Sequence, residues 1–220
     1  MLTSLIWDWN GTLLDDVDIC VAAMNDLLGR RGLAGITRST HRERFTFPVK
    51  RYYESLGFSF ATESFSLVAD EYHDAYGLRA AQTRLHPDAV DGLQMLRRRG
   101  VRQLLLSALE EGPLIAQLKQ HGIIDYFSAV YGLSDGHARG KLARARDLMA
   151  TESESGGRPG TWMVADTVHD AEVAHTVGVR CALVSTGHQS EEQLRQTSSP
   201  VFDSIGDALS FMIADKDEAC

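Results

Sequence analysis

Five short apolar runs, each closing near a polar or glycine-bearing turn, set the strongest limit on how this chain folds. They are Ser4 to Asp8, Val101 to Ser107, Ala129 to Gly132, Thr161 to Asp166 and Arg180 to Val184. Helical patterns lie between several of them, at Ala89 to Arg99, Gly112 to His121, Lys141 to Ala150 and His169 to Val177. Strands alternating with helices of this length predict an α/β fold, a doubly wound parallel sheet covered on both faces. Pro87 is placed near the first turn of a helix through Val90, Leu93 and Leu96, and Gly100 after Arg97, Arg98 and Arg99 reads as its stop. Val201 to Ile205 reads as a final short strand before a terminal helix.

One stretch breaks the rhythm. From about Asp16 to Leu85 there are helical patterns without a strand, at Val17 to Arg31, at His41 to Leu56 with Pro48 interrupting, and at Thr62 to Ala80. Their apolar stripes need to bury against one another. The expected organisation is a core of residues 1–15 and 86–220 with a helical cap, residues 16–85, inserted after the first strand. Tyr52 and Tyr53 are assigned to the interior of that cap rather than to its interface with the core. Residues 152–160, Glu-Ser-Glu-Ser-Gly-Gly-Arg-Pro-Gly, read as an exposed loop.

The formal net charge of −8 argues against general affinity for nucleic acid or anionic membranes, while leaving room for a local basic pocket. Cys20, Cys181 and Cys220 have neither paired nor metal-site spacing, which fits a reducing compartment. No basic leader precedes the first apolar run, and no apolar stretch is long enough to cross a bilayer. The expectation is a cytoplasmic protein, a monomer or weak homodimer.

The ends of the strands carry the chemistry. Asp8 sits at the exit of the first apolar run, Ser107 closes the second, Lys141 follows Gly140, and Asp166 closes Trp162-Met163-Val164-Ala165 with Asp170 beyond it. Taken singly, each is more readily a turn residue, a helix cap or a solvated side chain. Taken together they lie at ends that a doubly wound sheet brings to one edge. Phosphoryl transfer through a covalent intermediate needs a nucleophile, countercharge for the phosphoryl oxygens, a metal and groups that hold geometry. Asp8 suits the nucleophile, Ser107 and the backbone after it the phosphoryl oxygens, Lys141 the countercharge, and Asp166 with Asp170 a hard cation such as Mg²⁺.

These motifs resemble the haloacid dehalogenase superfamily, chiefly Mg²⁺-dependent aspartyl phosphatases. Asp8-Trp9-Asn10-Gly11-Thr12 is similar to that family's Asp-x-Asp-Gly-Thr loop except at its third position, and Ser107 and Lys141 match its second and third motifs. Asp166-Thr167-Val168-His169-Asp170 matches the acidic fourth motif, preceded here by Ala165 where Gly is common. The helical insertion resembles a C1 cap, and Phe47-Pro48 and Leu104-Leu105-Leu106-Ser107-Ala108 are similar to segments of the phosphoglycolate phosphatase-like branch.

The resemblance implies an aspartyl phosphate on Asp8 and Mg²⁺ held by Asp8, the backbone carbonyl of Asn10 and Asp166, with Asp170 supporting its water shell. By position, Ser107, the N–H of Ala108, Lys141 and the N–H of Trp9, beside the nucleophile, are the expected cradle of the phosphoryl group, with the Trp9 ring packing or shielding the entrance. Asn10 stands where the family has the carboxylate that protonates the leaving group, and an amide has no proton to exchange near neutral pH. Such assistance is typically worth about 10²–10⁴-fold.

The leading reading is a weak or selective Mg²⁺-dependent phosphomonoesterase acting on a small phosphorylated metabolite. One alternative is an impaired phospho-ligand sensor or protein-interaction module. A second is a phosphonatase-like enzyme using Lys50, the lysine of the cap, as its amine. Arg44 and Lys50 are also candidates for an anionic substrate tail. His73, His86, His121, His137, His169, His175 and His188 form no metal spacing and are read as peripheral, with His169 at the pocket border or in a helix-start hydrogen bond.

Overall fold

Strand β1 (Ser4–Trp7) is buried along its whole length. The chain then forms β2 (Leu14–Asp15), α1 (Val17–Arg30), α2 (Arg38–Arg44), α3 (Val49–Ser55), α4 (Phe65–Gly77) and β3 (Arg84–Leu85). It continues through α5 (Ala89–Arg98), β4 (Arg102–Glu110), α6 (Glu111–Gln120), β5 (Ala129–Leu133), α7 (Lys141–Glu154), β6 (Thr161–Ala165) and α8 (Val168–Thr176). It ends with β7 (Arg180–Val184), α9 (Glu191–Leu194), β8 (Val201–Phe202) and α10 (Ile205–Ala214). The computed structural model describes residues 2–133, 140–154 and 160–214; His137, Cys220 and residues 155–159 lie outside them, while 152–154, expected to open an exposed loop, continue α7 with Glu152 buried and paired to Arg102 at 2.8 Å.

The main sheet has the order β5-β4-β1-β6-β7-β8, and every pairing in it is parallel. The chain builds outward on one side of β1 through β4 and β5, then crosses to the other side through β6, β7 and β8. The switch point therefore falls at β1, where this class of sheet opens its crevice.

Alternation along the strands fills both faces. Leu5, Trp7, Leu105, Val164, Ala182 and Val184 join one cluster with residues of α5, α6 and α10. Ile6, Leu104, Leu106, Met163, Ala165 and Leu183 join another with residues of α7 and α8. Successive side chains of a strand point to opposite faces, so continuous apolar runs are what a sheet covered twice requires.

A third cluster is built from α1, α3 and α4 around Met24, Leu27, Leu28, Tyr52, Tyr53, Val68 and Tyr76. Each fully buried side chain of this kind contributes roughly 1.5–3 kcal/mol relative to exposure. Tyr52 and Tyr53 belong to this interior.

Several boundaries differ from those expected. β2 and β3 form an antiparallel pair where the chain leaves and re-enters the core, too short to show a periodicity. β4 runs past Ser107 to Glu110, its pairing with β5 shifting register between Leu106 and Glu110, so Ser107 lies inside an irregular strand rather than at its end. Ile205 opens α10 instead of ending β8, because the Ser204 hydroxyl accepts from the Asp207 N–H and starts the helix. Pro87 precedes the N-cap Asp88 of α5. Among the described residues no helix is long and apolar enough to cross a membrane.

Candidate active site

Asp8 remains tied to the sheet by its backbone, whose N–H donates to Val164 O at 2.9 Å, while its side chain leaves the strand end. The next residues fold into a turn in which Trp9 O accepts from the N–H groups of Thr12, Leu13 and Leu14. Gly11 at φ 74° is required twice over. It adopts the left-handed region, and a Cβ there would stand 2.3 Å from Asp166 Oδ2.

Four buried ionisable groups converge above this turn. Lys141, on the first residue of α7, bonds Asp8 Oδ1 and reaches Asp170 Oδ1 at 2.6 Å. Asp166 accepts from the Thr12 hydroxyl at 3.0 Å and from the His188 N–H at 2.7 Å. Asp170 accepts from the Thr167 hydroxyl at 2.5 Å, and Thr167 also caps α8. Carboxylate oxygens of Asp8, Asp166 and Asp170 lie within 4.8 Å of one another.

Burial pushes the Asp8 carboxyl well above the usual range, with Lys141 opposing and the neighbouring acids adding to the rise. Asp166 is raised for the same first reason. Burial works against the Lys141 charge too, but Asp170 and Asp8 outweigh it and hold the ammonium protonated.

Three carboxylates facing one ammonium leave a formal charge of −2, and the donors are all oxygens. That set fits a hard divalent cation. Glycine at 187 keeps the floor open, since a Cβ there would sit 2.2 Å from Asp166 Oδ2.

The structure brings Asp8, Lys141, Asp166 and Asp170 together and places Ser107 on the adjoining strand, buried, with its hydroxyl accepting from Leu109 N–H at 3.0 Å. Ala108 follows it and is exposed. Of the two roles expected of the Trp9 ring, packing and shielding an entrance, it has the first. It is fully buried, its indole N–H donating to Gln117 Oε1 at 2.6 Å.

Arg44 and Lys50 are not brought to the carboxylates. Arg44 donates to Ser55 O on an exposed part of the cap, and Lys50, half exposed, pairs with Glu54 at 3.9 Å and lies over the Phe60 ring. Lys50 meets Glu54 one turn along α3 and Arg44 meets a carbonyl of α3 from the end of α2, so both cations are satisfied within the cap, and Lys50 is not placed as the amine that the phosphonatase alternative needs.

Sequence reasoning passed over a second group beside the first. Asp16 is fully buried and accepts from Asn10 Nδ2 at 2.7 Å, Gly11 N–H at 3.0 Å and Tyr76 Oη at 3.0 Å, with His188 Nε2 at 3.3 Å. His188 Nδ1 lies 3.0 Å from His41 Nε2, and His41 Nδ1 lies 2.7 Å from Tyr52 Oη. Burial raises the Asp16 carboxyl, but the His188 charge overrides it and takes it down to about 2. His188 is correspondingly lifted to about 9 by Asp16 against the effect of burial. His41, buried beside that cation, falls to about 3 and is neutral.

His188, read as peripheral, is therefore central, and His169 instead stacks on Phe47 of the cap at 4.6 Å. The available signal was position: Gly187 to Gln189 follow β7, whose end opens onto the same edge as Asp8 and Asp166.

The same loop seats the helices of the cap. Arg42 donates to Ser185 O and Gln189 O, Ser190 N–H donates to Arg42 O, and Gln189 Nε2 donates to Phe45 O. Gln189 Oε1 accepts from Val168 N–H at 2.6 Å, so one side chain joins the cap to the start of α8.

Residues 5–184 match the family model of the haloacid dehalogenase-like hydrolases. The chain belongs to that family. This haloacid dehalogenase-like hydrolase is an enzyme, broadly related to the phosphoglycolate phosphatase-like branch. It is 25% identical to phosphoglycolate phosphatase 1 of Pseudomonas aeruginosa, covering 93% of this chain and 78% of that one. It is 24% identical to phosphoglycolate phosphatase of Rhodobacter capsulatus, covering 86% of this chain and 87% of that one. The fold superposes on the crystal structure of a predicted phosphatase from Clostridium acetobutylicum with a TM-score of 0.82 at 19% identity, covering 97% of this chain and 99% of that one.

Proposed function

We propose that this hydrolase is a Mg²⁺-dependent phosphomonoesterase acting on a small phosphorylated metabolite through an aspartyl phosphate on Asp8. The observation that carries the reading is the convergence of Asp8, Asp166 and Asp170 with Lys141 at the switch point of the sheet. Residues 1–15 and 86–220 form the catalytic core in this reading, and residues 16–85 the cap.

Asp8 attacks phosphorus as the carboxylate. Lys141 stabilises that carboxylate and then the phosphoryl oxygens. Ser107 and the N–H groups of Ala108 and Trp9 fix the orientation of the phosphoryl group. Asp8, the Asn10 carbonyl, Asp166 and Asp170 are the groups that would hold Mg²⁺, which supplies positive charge to the transferring phosphoryl group when bound. The cap, resting on the loop after β7, excludes bulk water.

Asn10 occupies the place of the family's second aspartate, so turnover is slow for substrates that need leaving-group protonation. That same residue is what favours a second reading, a phospho-ligand sensor that kept the binding groups. Phosphate release from a panel of phosphomonoesters, with and without Mg²⁺, separates the two. Metal-dependent release abolished in Asp8→Asn is the expected result, and ligand binding without release assigns the sensor.

A further inference from the structure

The Asn10 amide is not free to choose its orientation. Its Nδ2 donates to Asp16 Oδ2 at 2.7 Å and lies 3.3 Å from Tyr76 Oη. Asp16 is the fixed partner: Gly11 N–H, Tyr76 Oη and His188 Nε2 all approach the same carboxylate, which is fully buried. A carboxylate surrounded by donors accepts only. Turning the Asn10 amide over would set its carbonyl oxygen against that carboxylate and leave buried groups unpaired.

The consequence reaches the reaction. With both N–H groups directed to Asp16 and Tyr76, the amide presents its oxygen as its remaining hydrogen-bonding capacity, an acceptor without a proton. The groups that touch Asn10 do not replace it. Tyr76 donates to Asp16, and the two ring nitrogens of His188, which also approaches Asp16, face Asp16 and His41. A leaving oxygen at this position receives neither a proton nor a donated hydrogen bond from any of them.

We infer that Asp16, by holding Asn10, restricts this enzyme to substrates whose phosphoryl group sits on an acidic oxygen, as in acyl, enol and aryl phosphates. The inference rests on the aspartyl phosphatase reading of the same site. In the first step an Asp8 oxygen bonds to phosphorus, the bond from phosphorus to the leaving oxygen breaks, and the electron pair departs on that oxygen as a stable anion. In the second step water bonds to phosphorus, the bond to Asp8 breaks with its pair returning to the carboxylate, and the water's proton leaves with the phosphate product or to solvent. Asn10 Oδ1 orients that water by accepting from it.

The first step is undemanding for a carboxylate or phenolate, whose conjugate acids ionise near about 4 and about 10. An alkoxide resembles hydroxide, whose parent water ionises near about 16.

The test is the dependence of kcat/KM on leaving-group acidity. Wild type is assayed with Mg²⁺ on a series of aryl phosphates, acetyl phosphate and 2-phosphoglycolate, beside Asp8→Asn and the double variant Asn10→Asp/Asp16→Asn. In that double variant the donor and acceptor of the pair are exchanged, keeping the hydrogen bond while giving residue 10 a carboxyl.

The expected wild-type profile is steep, with the alkyl phosphate at least about 10²-fold below the aryl phosphates, the lower end of general acid assistance. The double variant flattens the slope and recovers the alkyl phosphate by a similar factor. A wild-type slope as shallow as that of the double variant, with turnover abolished in Asp8→Asn, overturns the inference and leaves the phosphatase reading standing. No turnover of any of these compounds by either enzyme removes that reading and the inference together. The wild-type slope needs no variant to fold.

Discussion

Asp166 has almost no room to move. Its oxygens are held by Thr12 and by the His188 N–H, and Gly11 and Gly187 press on it from two sides. In Gly187→Ala the new Cβ would lie 2.2 Å from Oδ2 and 2.4 Å from the Asp166 Cβ, so the whole side chain must shift. A displacement of an ångström in such a site costs on the order of 10²-fold. Activity is expected to fall by that factor with a raised Mg²⁺ requirement while the melting curve stays cooperative; an unchanged Mg²⁺ titration would show that Asp166 does not hold the ion.

Lys141→Met tests the same cluster from the other side. It leaves the buried carboxylates of Asp8 and Asp170 without their ammonium and should cost roughly 3–5 kcal/mol in metal-free buffer. Mg²⁺ should then raise the melting temperature of the variant more than that of wild type. Equal shifts in the two proteins count against a shared cation site.

At the scale of elements, hydrogen bonds join α2 to the loop after β7, and in the proposed function this contact holds the cap over the crevice. Arg42 supplies two of its donors, one of them at 2.5 Å from Ser185 O. Hydrogen bonds from a charged group are worth about 1.5–3 kcal/mol each. Arg42→Ala should therefore release the cap locally, with faster amide exchange over residues 38–47, a higher KM and little change in exchange of β1 and β6. Uniformly faster exchange throughout would mean that Arg42 supports the fold rather than the closure.

This contact also marks where sequence stopped being informative. β1, β4, β6 and β7 are legible because a strand buried on two faces writes a continuous apolar run; Asp8 and Asp166 stand just past the ends of β1 and β6, whereas Ser107 lies inside the longer β4. The His41–His188 bond joins residues 147 positions apart through single side chains, and no periodicity records it. Asp16 was hidden as one of two adjacent acids, and only the fold separates Asp15, which meets Arg38 near the surface, from its buried neighbour. The two-residue strands β2 and β3 are likewise set by tertiary pairing alone.

For the whole molecule, the Asp16–His188–His41 group is a joint: Asp16, at the start of α1, holds the turn after β1 through Asn10 and Gly11, and His188 joins it from the loop after β7 to His41 of α2. Its protonation states pull in opposite directions with pH. His188 is raised from 6.5 to about 9, so its contribution to stability is complete below pH 6.5 and is lost as pH rises through about 9. His41 is lowered from 6.5 to about 3, so its contribution is complete above pH 6.5 and is lost as pH falls through about 3. Asp16, lowered from 3.8 to about 2, contributes fully above pH 3.8 and is lost only as pH falls through about 2.

The contribution of this joint therefore peaks close to pH 6.5, and each titrating group changes it by at most about 1.4 kcal/mol per pH unit. Replacing the imidazole in His188→Gln removes the group that titrates on the alkaline side and also leaves Asp16 without its cation. That variant should be less stable than wild type at pH 6.5, and the gap should narrow steadily toward pH 9, because the unfolded wild-type chain deprotonates His188 over this range while the native state keeps it charged. Melting curves at intervals from pH 5.5 to 9.5 read both features. A gap that stays constant across that range would mean that His188 stabilises the joint by packing and neutral hydrogen bonds, not as the imidazolium partner of Asp16.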